Sequence, residues 1–526
     1  MTQLWKEDKS KLNATELAKL EMDGLEIVND LDRLVAQGFA ALTPADYDRL
    51  KWLGVYAHRP KGEGYFLLRV KIPGGKMTAA QAETIAAIAE THSRRTIDLT
   101  TRQCIEYHWL TLEDLPTVLR KLTQAGLSTL EAAGDCPRNI IANPLAGIDA
   151  EEFIDTTQLE EELDSFFHNN RDFSNLPRKF KIAISGGVHN SVNAEINDLA
   201  FVPAVKEVDG ELLKGFEVLV GGGLSHQPRL ATRLSVFVLP EEVAKVAGAV
   251  AAIFRDNGYR EKRNHARIKY LVADWGREKF TEELLRLTGP LLTGGMAVGS
   301  SWNAGRALGL HRQKQPGLYY LGLSVPGGRL SPEELTGIAN MARTYGDGAL
   351  RTTNSQDIII PNISEERIGQ LHEETIFKVQ MELQESAVSR IVACPGKEFC
   401  PFALAETKGR ISEISSAIDR ITGPETSIRI HMSGCGNSCG QTQIADIGLQ
   451  GTVIPAEGQP KEGFDIWVGG RLGQTRRLAA KAVGRVPAQE VKEIITAIVK
   501  DYLENRLSTE TFGEYADRKG SFNLVL

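Results

Sequence analysis

The sequence lacks any long hydrophobic run. Its most apolar stretch, "VAKVAGAVAAIF", is too short to cross a bilayer and carries Lys245. The first residues, "MTQLWKEDKS", contain no apolar core of the kind that a secretory signal requires. We therefore expect no membrane span and a cytoplasmic location.

An excess of positive charge is also missing. Lysine and arginine number 61 against 68 aspartates and glutamates, which gives a net charge of −7. Proteins that bind nucleic acid or anionic membranes through their overall charge are basic. The composition therefore excludes a general affinity for either partner, and any basic site must be local.

Cysteine is scarce, with six residues in a chain of 526. A secreted disulfide scaffold needs a far higher density of cysteine. In a reducing compartment, paired cysteines more often serve a metal centre or catalysis. Four of the six fall in two tight pairs, in "CPGKEFC" from Cys394 and "CGNSC" from Cys435.

A dinucleotide-binding fingerprint is absent as well. The strand-like run "GFEVLVGGG" from Gly215 ends in glycines, but no G-x-G-x-x-G with an acidic residue at the required distance follows it. The chain therefore carries no recognisable flavin or nicotinamide domain. Electrons for a redox reaction would have to come from a separate protein.

What the sequence does contain is an internal repeat. The segment "YFLLRVKIPGGKMTAAQ" from Tyr65 is echoed by "LYYLGLSVPGGRLSPEE" from Leu318. In both, a strand-like apolar run is followed by Pro-Gly-Gly, a basic residue and a helix start. The pattern predicts the same strand, turn and helix in each half of the chain.

The repeat continues in the same order along both halves. Thr78 with Gln81 and Ser331 with Glu334 form capping boxes, which predict helix starts. Further on, "LTTRQ" parallels "RTTNSQ", "DCPRNIIANPLAG" parallels "ACPGKEFCPFALA", and "ISGGVHNSVNAEINDLA" parallels "MSGCGNSCGQTQIADIG". We read two homologous halves related by an internal twofold repeat.

Strand-like runs alternate with helical ones throughout, which indicates an α+β protein with mixed sheets. Each half holds a small α/β module followed by a larger mixed-sheet module. The predicted segments are an N-terminal helical extension at 1–54 that lies on the surface, small modules at 55–128 and 308–380, and large modules at 130–290 and 386–526.

The repeat shows that only the second half carries the paired thiols. Gly187 stands opposite Cys435 and Ser191 opposite Cys439, so the first copy has the same loop without sulfur. A purely structural role would be expected in both copies. A metal or redox centre needs to be built only once.

Two kinds of centre fit four thiols. Zinc sites favour pairs separated by two to four residues, whereas the pairs here have five and three residues between them and stand 34 residues apart, which counts mildly against zinc. A [4Fe-4S] cluster also takes four thiolates, and Gly434, Gly436 and Gly440 would let the main chain approach it closely. A helical pattern from Phe402 onward would aim its N-terminus at the cluster.

With "TTRQ" and "LPRK" upstream of the two cysteine motifs, the chain resembles the siroheme nitrite and sulfite reductase family over nearly its whole length. The resemblance implies ferredoxin-like small modules, with the cofactors at the interface of the two copies. It implies that Cys394, Cys400, Cys435 and Cys439 hold a [4Fe-4S] cluster. It further implies that Cys439 is also the axial ligand of the siroheme iron.

The same resemblance identifies four catalytic cations, and all of them lie in the half without the cluster cysteines. They are Arg102 in "TTRQ", Arg138 in "CPRN", and Lys179 and Lys181 in "LPRKFK". The arginines would clamp the substrate oxygens and the lysines would deliver protons. Cys104, Cys136 and His189 match no family ligand, and we expect core or surface roles for them.

The resemblance implies nitrite as substrate, reduced by six electrons to ammonia in nitrate assimilation. The N-terminal stretch "RLKWLGVYAHRPKGEGYFLLRVKIPGG" resembles the ferredoxin-dependent nitrite enzymes more than the sulfite enzymes. Lys181 points the other way, because nitrite enzymes of the family usually have asparagine there. Sulfite reduction to sulfide is therefore the alternative, and a non-catalytic repeat protein with zinc on its four cysteines is a remote third.

The implied electron donor is reduced ferredoxin, an acidic protein, so we expect a local basic patch near the cluster. Its candidates are Lys397, Lys408, Arg410 and the run "RALGLHRQK" from Arg306. The chain is expected to act as a monomer.

Overall fold

The computed structural model describes residues 9–299, 307–423, 427–456 and 458–520. The first half contains helices α1 Ala14–Glu21, α2 Ile27–Gln37, α3 Pro44–Arg49, α4 Ala79–His92, α5 Leu115–Gln124, α6 Thr157–Phe167, α7 Val243–Asn257 and α8 Ile268–Thr288. Its strands are β1 Val55–Ala57, β2 Phe66–Val70, β3 Lys76–Thr78, β4 Ile97–Leu99, β5 Ile105–Leu110, β6 Ile141–Ala142, β7 Ile182–Ile184, β8 Leu199–Val208, β9 Glu211–Val220, β10 Thr232–Val238, β11 Leu292–Thr293 and β12 Met296–Ala297.

The second half repeats the order of these elements. Its helices are α9 Pro332–Tyr345, α10 Ile368–Leu371, α11 Thr375–Glu385, α12 Gly396–Phe399, α13 Ile411–Asp419, α14 Val491–Asn505 and α15 Phe512–Lys519. Its strands are β13 Gly309–Arg312, β14 Leu318–Leu323, β15 Arg329–Leu330, β16 Ala349–Thr352, β17 Ile358–Ser364, β18 Ile391–Ala393, β19 Ile430–Ser433, β20 Ile447–Ile454, β21 Lys461–Val468 and β22 Ala480–Pro487.

Each half forms one antiparallel sheet and one mixed sheet, so the predicted α+β class is confirmed. In the large sheets, β6, β7 and β8 run parallel, as do β18, β19 and β20. The strands after them are antiparallel. Both predicted capping boxes open the helices α4 and α9.

The two small sheets exchange a strand. The order of the first is β1-β2-β5-β4-β15, and that of the second is β13-β14-β17-β16-β3. Each short strand follows a Pro-Gly-Gly turn whose glycines have positive φ. A Cβ on Gly75 would lie 2.3 Å from the carbonyl oxygen of Thr352, so only glycine fits this turn. The small modules consequently share one hydrophobic core.

The N-terminal extension forms the helices α1, α2 and α3 and packs apolar side chains against the small modules. Leu34 and Trp52 are buried in the core of the small modules. Burial of each such side chain stabilises the fold by about 1.5–3 kcal/mol. The Trp52 indole donates a hydrogen bond to the carbonyl oxygen of Ser174, 2.7 Å away, which ties the extension to the first large module. The spacing of the apolar residues in the extension did not predict this contact with the large module.

The large modules have separate cores, and a small apolar cluster joins them. It pairs Ile196 with Ile444 and Leu224 with Leu472, which are equivalent positions of the repeat. The side-chain amide of Asn193 donates to the side-chain oxygen of Gln441 over 2.9 Å. The site described next lies at this junction of the two copies.

Candidate active site

The thiol-bearing loops meet because neighbouring parallel strands end at one edge of the second large sheet. Cys394 directly follows β18, and the loop with Cys435 and Cys439 follows β19. These strands pair in parallel with Ala393 opposite Met432. Cys400 follows the short helix α12.

Backbone N–H groups point at the sulfur atoms. The N–H of Gly434 donates to the sulfur of Cys394 over 3.1 Å. Cys400 accepts from the N–H groups of Phe402 and Ala403, and Cys435 from that of Asn437. Such donors stabilise thiolate sulfur, as iron-sulfur clusters require.

The expected helix from Phe402 is not formed. The residues after Cys400 make turns instead, and the next α-helix is α13, which begins at Ile411. The N–H groups of Leu404 and Ala405 donate to the carbonyl oxygen of Gly434, which draws them away from a helical pattern. Their role is to tie the two cysteine loops together.

The four thiols influence one another electrostatically. Burial raises the pKa of Cys394 above its usual range and that of Cys400 to about 12, and the neighbouring Cys439 adds to both shifts. Burial also raises the pKa of Cys435. Bound metal would hold such groups as thiolates, and the N–H donors suit that state.

Within the ranges that the structure describes, no group of three or more His, Cys, Asp or Glu side chains is arranged to hold a metal ion. A tetrahedral zinc site would bring its sulfurs to about 2.3 Å from one ion. An iron-sulfur cluster distributes its cysteines over several irons.

Arg102 lies in the loop between β4 and β5 and is 8% exposed. Its guanidinium donates to Asn197 Oδ1 over 3.0 Å and to the carbonyl oxygen of Asn139 over 2.5 Å. Its Nε is buried with no hydrogen-bond partner among the described residues. Burial lowers the pKa of Arg102 to about 9, with the neighbouring cation Arg138 contributing. An unpaired buried donor beside other cations suits an anion.

Arg138 is 7% exposed and is turned toward its own loop. Its Nε and Nη2 donate to the carbonyl oxygen of Gly134, over 2.9 Å and 2.5 Å. Its Nη1 donates to the carbonyl oxygen of Ala132 over 3.3 Å. These bonds fix the guanidinium in one orientation.

Lys179 and Lys181 lie within electrostatic reach of Cys439 of the other copy and are part-buried. Neither ammonium makes a hydrogen bond or ion pair within the described part of the chain. Burial and the neighbouring cations lower the pKa of Lys179 well below its usual range. Burial and the cation Arg102 lower the pKa of Lys181 to about 7.

Cys439 is exposed at the junction of the copies. The hydroxyl of Thr101, next to Arg102, donates to its carbonyl oxygen over 3.0 Å. The structure thus brings the sequence-predicted cations of the first copy to the sequence-predicted thiols of the second. The orphaned Arg102 donor, the exposed Cys439 and the unpaired lysines fit an anionic cofactor and an anionic substrate.

The remaining cysteines behave as expected. Cys104 and Cys136 are fully buried, and the Cys136 thiol donates to the carbonyl oxygen of Ala133 over 3.0 Å. His189 lies 3.0 Å from a carboxylate oxygen of Glu151. Sequence reasoning missed Asp198 and Arg267, a buried ion pair beside Lys181. The sequence signal that could have identified Asp198 was its counterpart in the second copy, Asp446.

The basic patch is only partly as predicted. Lys408 is 9% exposed and pairs with Asp98 over 3.0 Å, so the expectation that it meets a partner is wrong. Lys397 pairs with Glu462 over 2.7 Å. Arg312 is exposed near Glu365, at 3.5 Å, and Arg306 lies outside the described residues. Lys408 of the second copy is therefore buried against Asp98 of the first copy.

Two family models match the chain in duplicate. The model described as "Nitrite and sulphite reductase 4Fe-4S domain" matches residues 133–290 and 384–524. The model described as "Nitrite/Sulfite reductase ferredoxin-like half domain" matches residues 58–125 and 311–376. The chain belongs to the nitrite and sulfite reductase family. Its members are oxidoreductases that carry siroheme and a [4Fe-4S] cluster, as the sequence predicted.

The chain is similar both to relatives named as nitrite reductases and to a relative named as a sulfite reductase. A ferredoxin–nitrite reductase from Synechococcus elongatus is 38% identical, over 93% of this chain and 96% of the relative. A sulfite reductase [ferredoxin] from Mycolicibacterium paratuberculosis is 34% identical, over 97% and 96%. The structure of the Mycobacterium tuberculosis NirA protein matches with a TM-score of 0.89 at 33% identity, covering 96% of each chain.

Proposed function

We propose that the chain reduces nitrite to ammonia with electrons from reduced ferredoxin, as a step of nitrate assimilation. The observation that carries the proposal is the set of first-copy cations around Cys439, because both the substrate and the cofactor are anionic. Several relatives that cover more than nine-tenths of the chain are named ferredoxin–nitrite reductases, which supports the donor and the substrate.

Cys394, Cys400, Cys435 and Cys439 would hold the [4Fe-4S] cluster, and Cys439 would also bind the siroheme iron. When bound, these groups would supply the iron that receives the substrate and would pass on the electrons that ferredoxin provides. The chain itself supplies N–H donors to the sulfurs and the fixed cations opposite them.

Arg102 and Arg138 would bind the nitrite oxygens. Carbonyl groups already fix both guanidinium groups, so little reorganisation is needed when charge moves onto those oxygens. The unpaired Nε of Arg102 is the donor most available for this purpose.

Lys179 and Lys181 would deliver the protons that ammonia and water require. A general acid works best when its pKa lies near the working pH. Burial and the cation Arg102 lower the pKa of Lys181 to about 7, which meets that condition. Its ammonium has no competing partner among the described residues.

Sulfite is the second candidate substrate. Lys181 stands where nitrite enzymes of the family usually have asparagine, and the Mycolicibacterium relative is named a sulfite reductase. Steady-state turnover of each anion, with reduced ferredoxin or viologen as donor, separates the two. A higher kcat/KM for nitrite is expected, and a higher value for sulfite would contradict the proposal.

The variant Lys181→Asn sharpens the same test. We expect it to lower residual sulfite turnover more than nitrite turnover, because asparagine is the residue that nitrite enzymes of the family usually have at this position. The reverse order would count against this assignment of the substrate.

We also propose a cytoplasmic location, where ferredoxin and reduced thiols coexist. Among the described residues, none of the helices combines the length and apolar character needed to cross a bilayer. The monomeric state stays a prediction.

A further inference from the structure

The two copies place an aspartate at one equivalent point, directly before the strands β8 and β20. Asp198 accepts the backbone N–H of Lys181 over 2.8 Å, and Asp446 accepts that of Arg429 over 2.9 Å. The strands that follow pair in the same parallel register, Ile182 with Leu199 in one copy and Ile430 with Ile447 in the other. Lys181 and Arg429 are therefore equivalent residues.

The copies differ in which side chain neutralises the aspartate. In the second copy Arg429 folds back on Asp446, with Nε and Nη2 at 2.8 Å and 2.7 Å from its two oxygens. In the first copy Arg267 takes this position at Asp198, with three contacts between 2.8 Å and 2.9 Å. The Lys181 ammonium is left without an ion pair in the described part of the chain.

The difference arises at one helix start. Arg267 immediately precedes α8, and the residue that precedes the equivalent helix α15 is Thr511, whose hydroxyl caps the helix. The helices α8 and α15 are equivalent, because their fifth residues pack in the same way. Val272 lies against Gly221, and Ala516 lies against Gly469. Without an arginine at Thr511, Asp446 remains available to Arg429.

We propose that Arg267 is a positioning residue, which occupies Asp198 and thereby keeps the Lys181 ammonium from pairing with that carboxylate. The inference rests on the proposed function of Lys181. Asp198 is 0% exposed, so its charge needs a buried cation. If Arg267 lost its charge, Lys181 would be best placed to supply one, because its backbone already contacts the carboxylate.

The groups around Lys181 favour the same outcome. The cations Arg102, Arg267 and Lys179 surround it, and Asp198 and Cys439 are its acidic neighbours. Removal of the charge on Arg267 would take one cation away from the pair. The Lys181 ammonium would then be repelled less by a neighbouring cation and would be attracted more strongly to Asp198.

The first test is a crystal structure of the holoenzyme variant Arg267→Met. We expect the Nζ of Lys181 within about 4 Å of an Asp198 oxygen, the limit for an ion pair. A Lys181 ammonium that stays unpaired from Asp198 in this variant would overturn the inference. This readout is independent of turnover.

The second test is kinetic, with nitrite turnover expressed per bound siroheme. Arg267→Met should lower kcat by about 100-fold, the usual contribution of a general acid. Adding Asp198→Asn should restore most of that loss, since the amide still accepts the Lys181 N–H but no longer holds the ammonium. A loss that the double variant does not restore would indicate a merely structural role and contradict the inference.

Arg267→Lys keeps a cation at Asp198 and should stay within about threefold of the wild-type kcat. If Arg267→Met does not fold, this variant and the charge-neutral double variant decide the question. Should Arg267→Lys lose as much activity as Lys181→Met, the inference fails. If instead Lys181→Met leaves nitrite turnover unchanged, the proposed role of Lys181 fails, and the crystal structure still decides the positioning.

Discussion

At the scale of single residues, the chemistry depends on side chains whose environment differs between the two copies. Arg102, Arg138, Lys179 and Lys181 could be identified in the sequence only through their motifs, because a lone cation in a sequence is usually a solvated surface residue. The structure adds what a motif cannot show. Three of the five N–H groups of Arg138 donate to its own loop, whereas the lysine ammonium groups are unpaired among the described residues.

The lowered pKa of Lys181 predicts a pH dependence. Burial and the cation Arg102 lower this pKa to about 7, so the ammonium form is lost as the pH rises above that value. If Lys181 donates a proton in the slow step, kcat should fall by about tenfold per unit above its pKa. In Lys181→Met, kcat measured between about pH 6 and about pH 9 should no longer show this fall at alkaline pH.

The control for that experiment is Lys461→Met, which changes an exposed lysine at the start of β21. Its pH profile should match that of the unchanged chain. A Lys181→Met profile that still shows the alkaline fall would contradict the assignment of the acid.

The repeat supplies a matched pair of cysteines for testing the cluster ligands. Cys394→Ser should reduce iron and acid-labile sulfide strongly, because serine oxygen is a poor ligand for such a cluster. Cys136→Ser changes the equivalent buried residue of the first copy and should leave both contents unchanged. Equal losses in the two variants would show that folding, not ligation, was affected.

At the scale of elements, the sequence predicted the helix starts that depend on neighbouring residues. It missed the features that depend on contacts between residues far apart in the chain. The capping boxes at Thr78 and Ser331 open helices as expected, since each cap involves neighbours in the chain. The helix expected from Phe402 failed, because two of its N–H groups bond to Gly434 in the other cysteine loop. The exchange of β3 and β15 is likewise invisible to periodicity.

The strand exchange predicts a large effect from one small substitution. Gly75→Ala adds a Cβ 2.3 Å from the Thr352 carbonyl oxygen at a positive φ, and should destabilise the protein by about 3 kcal/mol or more. Gly62→Ala also has a positive φ but no atom within 4 Å, so its cost should be about 1–2 kcal/mol. Thermal unfolding of the two variants should show a clearly lower midpoint for Gly75→Ala. Equal midpoints would contradict the tight fit.

At the scale of the whole molecule, the two halves of one chain have divided a task. The second copy presents four cysteines at the ends of parallel strands, and the first presents the cations that face them. The internal repeat made this division predictable from the sequence, because it showed the thiols missing from one copy. The position of Arg267 could not be predicted, since it depends on how α8 packs against the sheet.

The central claim is that the thiols of the second copy and the cations of the first form one site. An anomalous diffraction map of the holoenzyme, measured at the iron edge, tests it most directly. The account predicts cluster iron bound by Cys394, Cys400, Cys435 and Cys439, with a further iron between Cys439 and Lys181. Iron on fewer of these cysteines, or none on the side of Cys439 that faces Lys181, would contradict it.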